Sequence, residues 1–597
     1  MKKGHETNPE EARTKRTLAQ KLKKAERAAR ERAIKERDSF FGLQIRPTAS
    51  LFDEGETKEP GDDNWVGYGF DLHPHVTFAS VVVLAVFIIL TLMFKDQAAQ
   101  LTETALEWTS NTFGWFFILG ANVFIIAALA FAFGPLGSIR IGGKDAMPEF
   151  TRLAWFAMLL SAGMGIGLMF WSVGEPMYHY LSPSPMFSGI EGQTPEAAQA
   201  AMAVTFFHWG LHPWAIYSIV ALGLAFFAYN RGLPLTIRSI FHPVLGDRIY
   251  GFWGNLIDVL SVLATLVGLA TSLGLGVSQV NAGLNYMFGI SISPTVQMIL
   301  IAIITAFATL SVVAGLDSGV KRLSELNMGL AGLFMLFVLI VGPTVYILSG
   351  FTQSLGFYLK NLPELSLWTE TFRDTNWQGS WTVFYWAWWI SWSPFVGMFI
   401  ARVSKGRTVR EFVLGVMLVP TLLSFIWMSV FGGSALSLQS GGTDLAAAVK
   451  ENVATAMFEM MKSFPMTPVL SFAAIILVVV FFVTSSDSGS LVVDHLTSGG
   501  KLDSPVPQRV FWAVMEGIVA AVLLMGGGLK TLQTAAITTG LPFTMVLLFI
   551  VYALYKGLSQ ELYVERAVEK ELRQVVTKHH VDEAIAEAQA DQEKNDS

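Results

Sequence analysis

Cysteine is absent from all 597 residues. Its absence excludes disulfides, thiolate metal sites and cysteine nucleophiles together. Charge is scarce as well: Asp, Glu, Lys and Arg make up 15% of the chain against 52% hydrophobic residues, and the mean hydropathy is +0.48. So little polar surface cannot cover soluble domains of this length, which places the chain among all-α membrane proteins. An apolar run near the start is also missing. The first one follows a long hydrophilic segment, so no cleavable signal peptide is expected. The net charge of −6 is segregated, with Thr14 to Phe40 rich in Lys and Arg and Asp582 to Ser597 acidic.

From His75 onward, about twelve apolar stretches are long enough to cross a hydrocarbon core of about 30 Å. They cover 75–94, 113–133, 152–173, 200–228, 255–280, 296–314, 327–349, 380–401, 411–433, 466–491, 509–527 and 532–555. Alternate loops carry the basic residues, among them Arg140 and Lys144, Arg231 and Arg238, Lys321 and Arg322, and Arg402 to Arg410, while 174–199 and 281–294 carry none. Cytoplasmic loops are the ones enriched in Lys and Arg, so an even number of spans with both termini cytoplasmic is expected. The basic tail, with Leu18, Leu22, Ala25, Ala29 and Ala33 at helical spacing, suits either a solvated helical or disordered tail or a weakly amphipathic helix drawn to anionic lipid.

Glycine and proline separate scaffold from mechanism. Span three carries Gly163, Gly165 and Gly167 around Met164, and span eight carries Ser391 to Gly397 with Pro394, so each is expected to break near its middle. These spans stand five apart. An odd spacing makes the second copy inverted across the membrane, giving two five-helix repeats at whose interface a transported solute binds. The expected organisation is a tail at 1–74, two peripheral helices at 75–134, a first repeat at 150–350, an outer loop with an interfacial helix at 351–379, a second repeat at 380–555 and a tail at 556–597.

Within span eight, tryptophan occurs at 381, 386, 388, 389 and 392. Trp381, Tyr385 and Trp386 suit an interfacial aromatic belt, but Trp389 and Trp392 lie near the midplane at the same depth as Trp209 and Gly163. Trp389 and Trp392 share a helical face, and Trp209, Trp214 and Tyr217 around Pro213 supply an opposing wall. Such a cage holds a quaternary ammonium through the ring quadrupoles, at about 0.5–2 kcal/mol per ring. No Asp or Glu lies near the cage within spans three, four or eight; Glu175 falls at the outer end of span three. The expected ligand is therefore a zwitterion that brings its own carboxylate, met by free backbone N–H groups at the break around Gly163 and Gly165.

Gly163 to Gly167, Phe207 to Tyr217 and Tyr385 to Phe399 resemble the betaine/carnitine/choline transporter family, as do Gly137 to Arg140, Pro148 to Phe150 and Thr484 to Ser488. The likeness covers about 65–560 and is greatest to the sodium-coupled osmolyte carriers of bacterial plasma membranes. It implies a homotrimer importing glycine betaine or a similar compatible solute. Trp209, Trp214, Tyr217, Trp389 and Trp392 would form the cage, with Trp388 on the exit path. One sodium would be held by carbonyls of Ser161, Met164 and Phe481 and by the hydroxyls of Thr484 and Ser485. A second sodium would draw on Thr265 and Phe395, but Leu269 stands where that pattern has a threonine, so this position is expected to be weakened, relocated or lost.

Sodium-independent exchangers of the family fix a basic residue in span five, and here spans five and ten contain neither Lys nor Arg. Symport is favoured over exchange, and betaine over ectoine, proline or choline. A channel would need a polar midplane, and a membrane enzyme would need a nucleophile or metal cluster. His208 and His212 are the nearest such pair, and their presence in the family motif argues against a transition metal. Sodium is the coupling ion, no cofactor is implied, and no nucleic-acid partner is expected.

Overall fold

The computed structural model describes residues 18–29, 31–32, 58–163, 165–314, 321–373 and 375–595. Met164 and the parts of Thr14 to Phe40 other than 18–29 and 31–32 lie outside the described residues. The protein is an all-α multi-pass membrane protein; among the described residues the strands form a single hairpin, β1 (Trp65–Gly67) antiparallel to β2 (Phe70–Leu72). Contacts divide the chain into a large unit, 57–241 with 248–552, and a small one comprising 1–56, 242–247 and 553–597. In the small unit, Arg32 pairs with Glu571 at 2.7 Å.

The large unit begins with α1 (Pro74–Met93) and α2 (Lys95–Phe133). Pro74 at the first helical position and the ring of His73, accepting from the Val76 N–H, start α1. The third span is two helices, α3 (Arg152–Gly163) and α4 (Ile166–Leu181), bent by 67°. Next come α5 (Pro195–Trp209) and α6 (Leu211–Arg231), interrupted at Gly210, then α7 (Phe252–Phe288), α8 (Pro294–Ala314) and α9 (Lys321–Val341). At Gly342 and Pro343 the chain turns by 106° into α10 (Thr344–Leu367). Span seven thus ends before the expected 349, because proline lacks the N–H that would carry the helix on.

The remaining long helices are α11 (Phe384–Val403), α12 (Val409–Ser440), α13 (Thr467–Thr497), α14 (Val506–Gly527) and α15 (Leu529–Asn595), the last of these belonging to the small unit from Ala553 on. Nine helices among the described residues are long and apolar enough to cross a membrane, or eleven if each bent pair is one span. Of the twelve expected spans, α11 is the one outside that count. Its indoles, hydroxyls and proline lower its mean hydropathy although it is 20 residues long.

The expected break in span eight is not there: α11 runs continuously through Pro394. Proline frees the carbonyl of Ile390, and the hydroxyl of Ser393 donates to that carbonyl at 2.7 Å, replacing the missing N–H. Burial identifies the centre of the bundle, since 89% of the most apolar window of α5–α6 is buried but only 22% of that of α8. α11 lies in this centre, packed against α3, α6, α7 and α13.

Candidate functional site

The break between α3 and α4 leaves the first N–H groups of α4 without carbonyl partners in their own helix. Gly165 precedes them in an extended conformation, and no side chain caps them. Every residue from Ile166 to Met177 is buried, so these donors face the bundle interior. Gly167 admits two indoles to this helix end: a Cβ there would lie 2.8 Å from Cη2 of both Trp209 and Trp388, closer than side chains pack. Gly165 lies beside Trp392, with 3.9 Å between the position of such a Cβ and the indole Cη2.

Around this helix end stand the expected aromatic residues. Trp209 and Trp389 meet edge to face at 5.0 Å and 83°, Tyr217 and Trp389 at 6.0 Å and 88°, and Trp214 and Tyr217 at 5.5 Å and 80°. Trp388 stacks on Trp389 at 5.3 Å and donates to the Ser272 hydroxyl. Trp392 makes its ring contact with Phe395, at 5.4 Å, and its indole N–H is buried without a partner, as is the Tyr217 hydroxyl. The structure therefore links four cage rings in one chain of contacts and places Trp392 by Gly165.

The expectation that no acid stands near the cage is wrong. Glu175 is fully buried, and its Oε2 accepts from the Trp209 indole at 2.7 Å and from the Tyr385 hydroxyl at 2.5 Å. Its Oε1 lies 2.6 Å from Nδ1 of His208, with His179 Nε2 at 3.5 Å. His208 Nε2 meets the Thr382 hydroxyl at 3.0 Å, and the His208 carbonyl accepts from the Trp389 indole at 3.0 Å. Glu175 thus anchors Trp209 directly and Trp389 through His208. The error arises because α4 continues to Leu181, past the expected end of span three at 173, so Glu175 lies inside the helix and against the end of α5.

The same network corrects the belt assignment for Tyr385 and Trp386. Both are at most 1% exposed, Tyr385 stacking on His208 and Trp386 on His212. His208 and His212 do not converge on one point; Glu175, His179 and His208 do, with ligand atoms all within 4.8 Å of one another. Glu175 and His208 already make the hydrogen bonds just given, a polar network of the kind that fixes rings in place, while His179 Nε2 is buried without a hydrogen-bond partner.

The described residues expected to hold the first sodium line a separate small cavity of about 70 Å³. Ser161, Phe481, Thr484 and Ser485 line it, and so does Phe395. Thr265 does not; its hydroxyl bonds back to the Ser261 carbonyl at 2.7 Å. Leu269 fills a gap opposite Gly489, where a Cβ would come within 2.4 Å of its Cδ1. The Thr484 hydroxyl also bonds back, to the carbonyls of Val480 and Phe481. Sequence reasoning missed Asn327 and Ser488, which line the same cavity; the Asn327 side-chain carbonyl is buried without a partner. A lone Asn gives no pattern by which to find it, whereas Ser488 closes the Thr484 to Ser488 motif, a signal present in the sequence.

The model of the betaine/carnitine/choline family of transporters matches residues 75–563. A glycine betaine/proline/choline transporter of Vibrio parahaemolyticus is 49% identical over 508 residues, covering 83% of this chain and 91% of that protein. A second from the same organism, a glycine betaine/proline/choline/ectoine transporter, is 46% identical over 510 residues, or 84% and 90% of the two chains. A glycine betaine transporter of Bacillus subtilis is 46% identical over 483 residues, or 81% and 93%.

Proposed function

The chain belongs to the betaine/carnitine/choline family of transporters, and on that premise we propose that it imports glycine betaine by sodium symport across a bacterial plasma membrane. It is a transporter and not an enzyme. The observation that carries the substrate reading is the opposition of the edge-to-face rings of Trp209, Tyr217 and Trp389 to the uncapped start of α4. A trimethylammonium group has no N–H to donate and is held by ring faces, at about 0.5–2 kcal/mol per ring. A carboxylate is held by free N–H groups at a helix start, beyond Gly165 and Gly167. A short zwitterion joins the two.

Glu175 modifies this reading. Its carboxylate is occupied by the N–H and O–H edges of Trp209, Tyr385 and His208, so it serves as the support of the cage rather than a direct ligand. Its charge behind the rings still favours a cation in front of them. A cationic substrate without its own carboxylate, such as choline, is therefore the second reading, and a relative named for glycine betaine, proline and choline supports it.

Sodium would occupy the cavity of Ser161, Phe481, Thr484 and Ser485, whose hard oxygens suit an alkali cation. Thr265 stands apart from Phe395, and Leu269 fills the space beside Gly489, so we propose one sodium in this chain's oxygen sites. With no Lys or Arg in α7 or α13 to replace it, the cation comes from solution. A membrane potential then contributes about 2.3 kcal/mol per charge per 100 mV. Alternating access would come from movement of the two inverted repeats about this centre. A homotrimer with both termini cytoplasmic, and a basic tail that responds to anionic lipid, complete the proposal.

Uptake of labelled glycine betaine into proteoliposomes, with and without a sodium gradient, tests it. Dependence on the sodium gradient is expected; uptake indifferent to sodium but driven by preloaded betaine would mean exchange. Trp392→Leu is expected to abolish uptake, and a variant that lowers only protein yield would make that residue packing.

A further inference from the structure

The bundle contains a second buried acid outside the cage. Glu516 lies ten residues beyond the start of α14 at Val506, about 15 Å along the helix and near the midplane. It is 0% exposed. Its Oε2 accepts a hydrogen bond from the Ser486 hydroxyl at 2.9 Å, and its Oε1 is buried with no partner at all. Among the described residues, no basic side chain is paired with it. An ionised carboxylate in such a place would keep one hydrogen bond in exchange for its hydration, which strongly disfavours the charged form. A carboxyl in this position is neutralised by a bound cation.

The surroundings decide which cation. An alkali ion needs five or six oxygens; among the described residues the one oxygen hydrogen-bonded to Glu516 is that of Ser486, and the unpartnered Thr305 hydroxyl of α8 lies against α14 at the adjacent Gly517. A proton needs a single oxygen. The other ionisable groups on the packed helices are engaged or distant. α8 has none, and α7 has Asp258, paired with Arg238, and Tyr286 in its last turn, beside Phe458 and Lys462. α1 has His75 at its start, and those of α2 lie between 95 and 107, in its first turns. On α13, Asp494 accepts from Ser504 and Gln508, and His495 lies one residue beyond it. Asp71, on β2, pairs with Lys501. That leaves Asp487, which accepts from Ser311 at 3.3 Å, and Arg509, two turns before Glu516 on α14.

α13 connects this acid to the cation cavity. Thr484, Ser485 and Ser488 present their side chains to the cavity, and Ser486, between them, turns to Glu516. A shift of α13 as the cavity fills therefore alters the single hydrogen bond that Glu516 has. We propose that Glu516 is a proton-binding site that loads and releases one proton in the transport cycle, a second coupling cation beside the one in the Ser161–Thr484 cavity. The carboxylate takes the proton from water on one side of the membrane and returns it to water on the other. This rests on the transporter reading above.

Two measurements on the full-length protein in lipid test it separately. In proteoliposomes with a trapped pH dye, sodium-driven glycine betaine uptake is expected to acidify the lumen, and Glu516→Gln, fixed in the neutral form, is expected to lose that acidification. Uptake without acidification in the wild type, or acidification that survives in Glu516→Gln, overturns the proposal. If no uptake occurs at all, the transporter reading fails instead, and infrared difference spectra between acid and alkaline pH decide. A protonated carboxyl band that vanishes as pH rises, persists in Asp487→Asn and is lost in Glu516→Gln is expected. Absence of the band, a band unchanged by pH, or one that responds to sodium and not to pH overturns the proton site.

Discussion

Glu175 and Glu516 are both completely buried in the helical bundle, and their surroundings differ in one respect. Glu175 accepts from Trp209, Tyr385 and His208, while Glu516 accepts only from Ser486 and has one oxygen with no partner. The first carboxylate is saturated and makes a fixed point on which two cage indoles are hung. The second has unused capacity, so its state depends on what binds it. Burial alone does not tell a structural acid from a loading site; the number of donors facing it does.

The comparison is broken most directly at Glu175. Removing the carboxylate in Glu175→Ala leaves three buried donors unpaired, and a loss of about 3–5 kcal/mol is expected in unfolding followed in detergent micelles. A variant as stable as the wild type would mean that the network is incidental. Gly167→Ala attacks the same rings from their other edge, pressing a methyl onto Trp209 and Trp388. About 1–3 kcal/mol of destabilisation is expected, and in uptake assays KM should rise more than Vmax falls.

Away from both acids, Ser393→Ala leaves the Ile390 carbonyl unpaired beside Pro394. Its cost should be about 1 kcal/mol by the same unfolding measurement. Glu516→Gln sharpens the contrast further: the amide oxygen still accepts from Ser486, so stability should stay within about 1 kcal/mol of the wild type. Glu175→Gln should cost clearly more, because its amide N–H would face the donors of Trp209 or His208. Equal effects of the two isosteric changes would erase the distinction drawn between the sites.

The smallest effect belongs outside the membrane, at the β-hairpin. Burial raises the pKa of the Asp71 carboxyl, but hydrogen bonds from Lys501 and Asn64 outweigh it and hold the group below its ordinary 3.8. The contribution is present above that value and is lost as pH falls through the lowered one. A slight acid-dependent loss of stability is expected below pH 3.8, and Lys501→Met should reduce it.

Much of this was legible in the sequence. Apolar length located the spans, because a helix in hydrocarbon must satisfy its own backbone within one stretch. The glycine run at 163–167 located the broken helix, and tryptophan spacing located Trp389 and the wall opposite. Pro394 misled, because a serine one residue earlier repairs the hydrogen bond that proline removes, and a breaker's effect depends on such neighbours. Leu269 was legible as a missing oxygen, but its fit against Gly489 was not.

The sequence by itself determined the class, the broken third span, the aromatic residues of the proposed cage and the transporter family. These follow from local chemistry: apolar length, backbone freedom at glycine and ring count. Only the tertiary structure decided where the acids stand. Glu175 is 34 residues from Trp209 and 210 from Tyr385 in sequence, yet bonds both, and Glu516 meets Ser486 across 30 residues. The consequence of a buried charge depends on the donors around it, and those arrive from helices whose order along the chain does not reveal which of them touch.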